Sequence, residues 1–176
     1  DPARYGYGLH DGITKNKEGN CHNDDHKLQW NGYAEEDPKR VDSLTDRTID
    51  FIEDALEQER PFYVQLSHYA VHSDLVYSQD SYMQMLIEGS GSVHKNVSYA
   101  AMVMDLDKSI GKLLEAYEAL GLSENTYIIF TSDNGGMPVL PIQVNRGRPY
   151  KQGLNSPLLR GKWDLMEGGI RVPFSM

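Results

Sequence analysis

The stretch Thr-Tyr-Ile-Ile-Phe-Thr-Ser-Asp-Asn-Gly-Gly occupies residues 126–136 and joins an apolar run to a polar turn. Residues 126–132 are mostly aromatic or β-branched, as is typical of a buried strand whose two faces are both covered by helices. Asp133 and Asn134 directly follow this predicted strand, and the two glycines after them allow a sharp turn. The stretch therefore predicts a buried strand with two oxygen-bearing side chains at its carboxyl end.

The elements upstream of this strand are predicted to follow the order helix, strand, helix. The first helix is indicated by an apolar stripe at helical spacing, formed by Val41, Leu44, Thr48, Phe51, Ile52 and Ala55. Asp42 or Ser43 is its expected N-cap. Residues 62–67 have the composition of a second buried strand, a short helix is expected around Ser81–Ile87, and a long helix from about Asn96 to Leu120. A long helical crossover between two strands makes them parallel, so the sequence predicts an α/β layered sheet.

Composition and charge exclude several classes of protein. The 176 residues carry a net charge of −9, which disfavours nucleic-acid binding through a basic surface. No apolar run approaches the roughly 20 residues of a membrane-spanning helix, so no membrane span is predicted in this chain. Cys21 is the single cysteine and cannot form an internal disulfide. The first residue is not Met and the last residues have strand character, so we interpret the chain as truncated at both ends.

Candidate functional residues lie at the predicted carboxyl ends of strands, where ligands bind in open α/β sheets. Asp133 and Asn134 offer the hard oxygen atoms that Ca²⁺ and Mg²⁺ prefer, although an Asp-Asn-Gly turn also occurs for purely conformational reasons. His72 follows the first predicted strand and is a candidate acid, base or anion donor, or a loop histidine bonded to backbone. Lys162 stands among glycines and can reach an anionic oxygen, or it can form an ion pair with Glu167. His68 is interpreted as a partly buried packing histidine.

Several segments resemble, in the same order along the chain, those of the sulfatase family of the alkaline-phosphatase-like superfamily. Residues 5–8 and 10–12 fit the loop that follows the first lysine-histidine segment of that family. Residues 131–136 resemble the strand end that supplies two calcium ligands, and residues 161–173 are similar to the Gly-Lys…Glu-Gly-Gly-Arg-x-Pro segment. Residues 67–72 resemble the strand followed by an Ala-Pro-His turn, with Val71 in place of Pro. Residues 99–111 are similar to the helix before the metal-binding strand. The resemblance covers essentially the whole chain.

The resemblance implies a three-layer α/β/α sheet that is mostly parallel and incomplete at both ends. Residues 1–176 would be the central part of one sulfatase catalytic domain. Within it, residues 1–40 would be rich in loops, residues 41–134 would form helix, strand, helix and strand, and residues 135–176 would form an active-site loop and the next strand.

The resemblance also implies the chemistry. Asp133 and Asn134 would bind Ca²⁺, His72 would contact the sulfate ester near its leaving oxygen, and Lys162 would contact a sulfate oxygen. A formylglycine hydrate would attack sulfur while the metal polarises the sulfate oxygens. Lys162 and His72 would offset the charge of the transition state. The substrate would be a sulfated small molecule or glycan, and the location periplasmic, secreted or lysosomal.

The chain departs from the family pattern at the nucleophile. It contains no Cys/Ser-x-Pro-x-Arg sequence, and Cys21 is followed by His-Asn-Asp. Asp24 and Asp25 lie in a polar loop and are not expected to replace the paired aspartates near the amino terminus of the family. We therefore expect the chain by itself to bind Ca²⁺ weakly, because two ligands leave most of its coordination unfilled, and to hydrolyse nothing.

Two other functions remain open from the sequence. One is a phosphonate monoester or phosphodiester hydrolase of the same superfamily, which would share the sheet and the metal site. The other is a non-catalytic remnant that binds sulfated glycans. In such a remnant, four basic side chains within residues 137–160 would bind sulfate groups: Arg146, Arg148, Lys151 and Arg160. The alternative is that these side chains simply belong to a solvated loop.

Overall fold

The computed structural model describes residues 2–10, 31–34, 36–72, 74–89, 91, 94–137 and 155–176. Its elements in chain order are β1 (Asn31–Tyr33), α1 (Val41–Glu57), β2 (Leu75–Tyr77), α2 (Gln79–Glu88), α3 (Val97–Ala119), β3 (Phe130–Thr131), α4 (Glu167–Ile170) and β4 (Phe174–Ser175). Short 3-10 helices cover Pro2–Tyr5, Pro38–Arg40 and Leu122–Glu124. The helices predicted from periodicity, α1, α2 and α3, are all confirmed.

Helices α1 and α3 are joined by buried hydroxyl groups as well as by apolar contacts. The Ser109 hydroxyl donates to the carbonyl oxygen of Val41 at 2.7 Å, and it lies 2.5 Å from the Thr45 hydroxyl. Because Ser109 has one hydroxyl hydrogen, Thr45 is the donor in the second bond. The buried apolar residues of α1 are those of the predicted stripe: Val41, Leu44, Ile52 and Ala55. The pair of bonds fixes how α1 lies along α3.

A second apolar cluster lies between β2 and α3. Its buried members are Leu75, Tyr77, Ala101 and Met102. Ala70 and Val71 pack against this cluster from the segment that precedes β2. The turn that carries His72 is therefore attached to the core through its two preceding residues.

The start of α2 is held against α3 by one buried carboxylate. Asp105 accepts hydrogen bonds from the backbone nitrogen and hydroxyl of Ser78, at 2.7 and 2.6 Å, and from the hydroxyl of Ser81 at 2.6 Å. A buried carboxylate with three donors is well compensated for its loss of water. Asp105 therefore connects the end of β2 to α3.

The strand pairing differs from the prediction. Strands β1 and β2 are parallel, with Asn31 opposite Leu75, whereas β3 and β4 are antiparallel, with Phe130 opposite Ser175. Residues 62–67 pair with no described strand, so the strand predicted there is not formed among the described residues. A strand is defined by its hydrogen-bonded neighbours, and the described segments provide none for residues 62–67. The parallel pair instead uses segments that the sequence indicated as loops.

The predicted burial of both strands is also wrong in this structure. Tyr63 is 72% exposed, Tyr127 83% and Ile129 58%. Residues 61–67 alternate between exposed and partly buried, which is the period of an extended chain with one covered face. In the part of the chain that the structure describes, no helix covers the other face. The described residues contain no helix long and apolar enough to cross a membrane.

Candidate active site

The end of β3 presents two oxygen-bearing side chains side by side. Asp133 is exposed and Asn134 is partly buried. The Ser132 hydroxyl donates to the carbonyl oxygen of Asn134 at 2.8 Å, which fixes the backbone of this turn. A carboxylate and a carboxamide in neighbouring positions are donors of the kind that Ca²⁺ uses.

Two backbone hydrogen bonds bring the Lys162 segment to this strand end. Gly135 N–H donates to the carbonyl oxygen of Gly169 at 2.9 Å, and Lys162 N–H donates to the carbonyl oxygen of Gly136 at 2.8 Å. The structure thus brings the segment that contains Lys162 against the turn that follows Asp133 and Asn134. We call these residues, 132–136 and 161–169, the strand-end group.

The glycines of the strand-end group are required by close backbone contact. A Cβ atom on Gly135 would overlap the carbonyl oxygen of Gly168. A Cβ atom on Gly168 would overlap the carbonyl oxygen of Arg160, and one on Gly169 would overlap that of Asp164. Only residues without a side chain allow the two segments to approach this closely.

Asn155 links the two segments with its side-chain amide, a role that the sequence did not reveal. Its Oδ1 accepts from Gly136 N–H at 2.9 Å, and its Nδ2 donates to the carbonyl oxygens of Gly136 at 2.7 Å and Arg160 at 3.0 Å. The sequence offered no sign beyond an asparagine in a segment rich in turn residues.

The ion pairs leave the Lys162 ammonium without an acidic partner among the described residues. Glu167 pairs with Arg171 at 3.4 Å, and Asp164 pairs with Arg160 at 3.1 Å. The alternative in which Glu167 binds Lys162 is therefore not observed. Lys162 Nζ lies 6.0 Å from the centroid of the Trp163 ring.

His72 lies in a different turn, with an exposed side chain. The backbone N–H of His72 donates to the carbonyl oxygen of Tyr69 at 2.9 Å, and the backbone carbonyl oxygen of His72 accepts from Lys39 Nζ at 2.8 Å. Neither partner belongs to the strand-end group. Both bonds are made by the backbone of His72, so they fix the turn and do not decide between the two roles considered for the imidazole.

His68 is a half-buried histidine whose two ring nitrogens have no partner among the described residues. Burial lowers the pKa of its imidazole, and the Asp37 carboxylate partly opposes this effect. The predicted packing role is in keeping with such a neutral ring.

We expect His68 to make the folded chain less stable in acid. Because its folded pKa is below its unfolded pKa of about 6.5, the unfolded chain binds more protons, and stability falls as pH drops from that value through the folded pKa. In thermal unfolding, His68→Phe should therefore lose less stability than wild type between pH 7.5 and pH 5. His94→Gln, at an exposed histidine, is the control. Equal acid losses in wild type and His68→Phe would contradict the prediction.

The metal-binding side chains in the described residues are incomplete. No group of three or more His, Cys, Asp or Glu side chains there is placed to hold a metal ion. Asp133 and Asn134 are the right kind of donor for Ca²⁺ but too few for its six to eight ligands. The candidate sulfate-binding residues Arg146, Arg148 and Lys151 lie outside the described residues, as do Cys21, Asp24 and Asp25, which the sequence did not favour as site residues.

Comparison with known proteins shows the family of the chain. The family model described as Sulfatase matches residues 6–176. N-acetylgalactosamine-6-sulfatase of Mus musculus is 32% identical over 129 residues, which is 73% of this chain. A sulfatase of Formosa agariphila is 34% identical over 77% of the chain, and human arylsulfatase A is 35% identical over 70%. The crystal structure of Ps i-CgsB in complex with k-i-k-neocarrahexaose superimposes with a TM-score of 0.61, at 30% identity over 76% of this chain and 27% of that one.

The chain belongs to the sulfatase family. It spans about a fifth of the length of the curated relatives, 22% of the mouse enzyme and 21% of human arylsulfatase A. Family membership gives it the α/β fold class of alkaline-phosphatase-like enzymes.

Proposed function

We propose that residues 1–176 form the central part of a sulfuric ester hydrolase domain that cleaves a sulfate monoester with the help of Ca²⁺. The observation that carries this proposal is the hydrogen bond from Lys162 N–H to Gly136 O, 2.8 Å long, which holds a candidate anion-binding lysine beside two candidate metal ligands. A cation and an ammonium close together are suited to the charged oxygens of a sulfate ester. In the complete domain we place these residues in a three-layer, mostly parallel sheet.

Asp133 and Asn134 are proposed as two of the Ca²⁺ ligands. They lie just past the end of β3, and the exposed Asp133 carboxylate is accessible to an ion. The remaining ligands must come from elsewhere, because one carboxylate and one carboxamide do not fill the six to eight ligand positions of Ca²⁺. Formylglycine, when present in a sulfatase, supplies the nucleophile, and residues 1–176 contain no Cys/Ser-x-Pro-x-Arg sequence from which to form it.

Lys162 and His72 are proposed to contact the substrate. The Lys162 ammonium has no acidic partner among the described residues, so it can bind a sulfate oxygen as a point charge. The exposed His72 imidazole can donate a proton to the leaving oxygen, because an imidazole exchanges protons near neutral pH. This role requires His72 and the strand-end group to face the same bound ester.

The substrate is proposed to be a sulfated glycan. Two observations support this choice: a relative is named N-acetylgalactosamine-6-sulfatase, and the similar solved structure holds a neocarrahexaose. A sulfated aryl compound is a suitable assay substrate for the same chemistry. We place the protein in the periplasm, in a lysosome or outside the cell, as the family resemblance implies.

The proposal is tested with the complete gene product, meaning the whole polypeptide encoded by the gene that contains this chain. It should hydrolyse an aryl sulfate faster than the matching aryl phosphate or phosphonate, and a calcium chelator should remove the activity. The isolated chain of residues 1–176 is the matched control and should show no turnover. Faster hydrolysis of the phosphoester would replace the proposal with the phosphoester hydrolase. Glycan affinity without any turnover would replace it with the binding remnant.

A further inference from the structure

The turn that precedes α1 contains three non-glycine residues in the left-handed region. Asp37 has φ 39°, Lys39 φ 58° and Arg40 φ 54°. Residues other than glycine adopt this conformation at an energetic cost, and they keep it where surrounding contacts enforce it. The contacts around residues 37–40 therefore indicate what the turn is for.

The Asp37 side chain fixes one end of this turn. Its Oδ1 accepts from Asp42 N–H at 2.8 Å and its Oδ2 from Ser43 N–H at 3.2 Å, so it caps the first turn of α1. Arg40 N–H donates to the carbonyl oxygen of Asp37 at 2.9 Å. Because these bonds hold both Asp37 and Arg40 to α1, the position of Lys39 between them is defined.

Lys39 is fully buried, which is rare for lysine because an ammonium loses its water when it enters the protein. Its Nζ donates to the carbonyl oxygen of His72 at 2.8 Å, across 33 residues of chain. His72 N–H is already bonded to Tyr69, and Ala70 and Val71 pack against the core. The backbone N–H of His72 is thus held by Tyr69, and its backbone carbonyl oxygen is held by the Lys39 ammonium.

We propose that Lys39 is a positioning residue that holds the backbone of His72 so that its imidazole meets the sulfate ester. Lys39 cannot touch a substrate itself, because its side chain is buried beneath the turn. A displacement of about 1 Å in a catalytic group can lower a rate about 100-fold. The inference rests on the proposed role of His72, while the hold of Lys39 on the turn is independent of any activity.

The test replaces Lys39 with Met, which keeps the length of the side chain and removes the ammonium. In the isolated chain, hydrogen exchange of the His72 amide is expected to speed up about tenfold or more, because the turn opens locally. In the complete gene product, kcat for an aryl sulfate should fall about 10- to 100-fold with little change in KM. The His72→Ala variant identifies the part of the kcat–pH profile that depends on His72. Lys39→Met should change that same part of the profile.

Ser109→Ala is the matched control, since it breaks the α1–α3 hydroxyl bonds without touching the His72 turn. It should lower thermal stability and leave His72 amide exchange and kcat unchanged. If Lys39→Met behaves like Ser109→Ala, with equal loss of stability and an unchanged His72 amide, the proposal is wrong. If Lys39→Met does not fold, Lys39→Gln, whose shorter neutral side chain does not reach the carbonyl, carries the same expectations.

The two proposals fail in different ways. A complete gene product without sulfatase activity would overturn the proposed function, and the amide exchange of His72 would still decide whether Lys39 holds the turn. An active enzyme in which Lys39→Met loosens the turn but leaves kcat unchanged would overturn the positioning role alone.

Discussion

Replacing Asp133 with Ala is expected to weaken Ca²⁺ binding by the complete gene product about 100-fold or more, because ligand charge tunes calcium sites over several orders of magnitude. Sulfate ester hydrolysis should fall to the background of the assay at micromolar Ca²⁺. The physical reason is that Asp133 is the charged member of the Asp133–Asn134 pair, and the described residues contain no group of three or more His, Cys, Asp or Glu side chains that could hold the ion instead. Calorimetric titration with Ca²⁺ measures the affinity without reference to activity.

Asp107→Ala provides the control, because Asp107 is an exposed aspartate on α3 outside the strand-end group. It should leave Ca²⁺ affinity and turnover unchanged. The isolated chain should bind Ca²⁺ only weakly, since two ligands fill a small part of the coordination sphere. Wild-type Ca²⁺ affinity in Asp133→Ala would show that the ion binds elsewhere and would remove the metal role from this strand end.

Helices were predicted well because their signal is local. The apolar stripe of α1 and the extent of α3, from about Asn96 to Leu120, follow from periodicity, and the structure confirms both. The cap of α1 was wrong for the opposite reason. Neither Asp42 nor Ser43 caps it, and the carboxylate that does so, Asp37, acts across a left-handed turn that no local pattern indicates.

Strands were predicted less well because their partners are distant in sequence. An apolar run such as residues 126–132 indicates an extended segment, but it does not say which other segment will supply the hydrogen bonds. In the structure β3 pairs with β4, which lies more than forty residues later, and β1 pairs with β2. The aromatic and branched residues were read as buried, whereas Tyr127 and Ile129 are exposed.

The candidate site was partly accessible from sequence. Asp133, Asn134 and Lys162 were proposed as site residues from residue type and spacing, and the structure brings their segments together through the glycines that the sequence displays. Asn155 and Lys39 were missed, because each acts through long-range hydrogen bonds to backbone groups. Such contacts leave no periodic pattern, and only the folded chain reveals them.

Replacing Gly168 with Ala is expected to separate Lys162 from the proposed metal ligands at the end of β3 and to lower kcat/KM of the complete gene product about 100-fold or more. The added methyl group would overlap the carbonyl oxygens of Leu159 and Arg160, so the bond from Gly168 N–H to Leu159 O, 2.8 Å long, would break. Overpacking of this kind costs about 1–3 kcal/mol, and here the strain is relieved most easily by undocking the segment.

The change should remain local, because the buried clusters of α1, α2 and α3 contain none of these residues. Helical circular dichroism should therefore stay at the wild-type value, while hydrogen exchange of the Gly135 and Lys162 amides accelerates. Gly111→Ala is the matched control, since a Cβ at that helical glycine meets nothing within 4 Å. It should be neutral or slightly stabilising, as alanine favours helix over glycine by about 1 kcal/mol. Full activity with protected Gly135 and Lys162 amides in Gly168→Ala would mean that close backbone contact is not what places Lys162 beside Asp133.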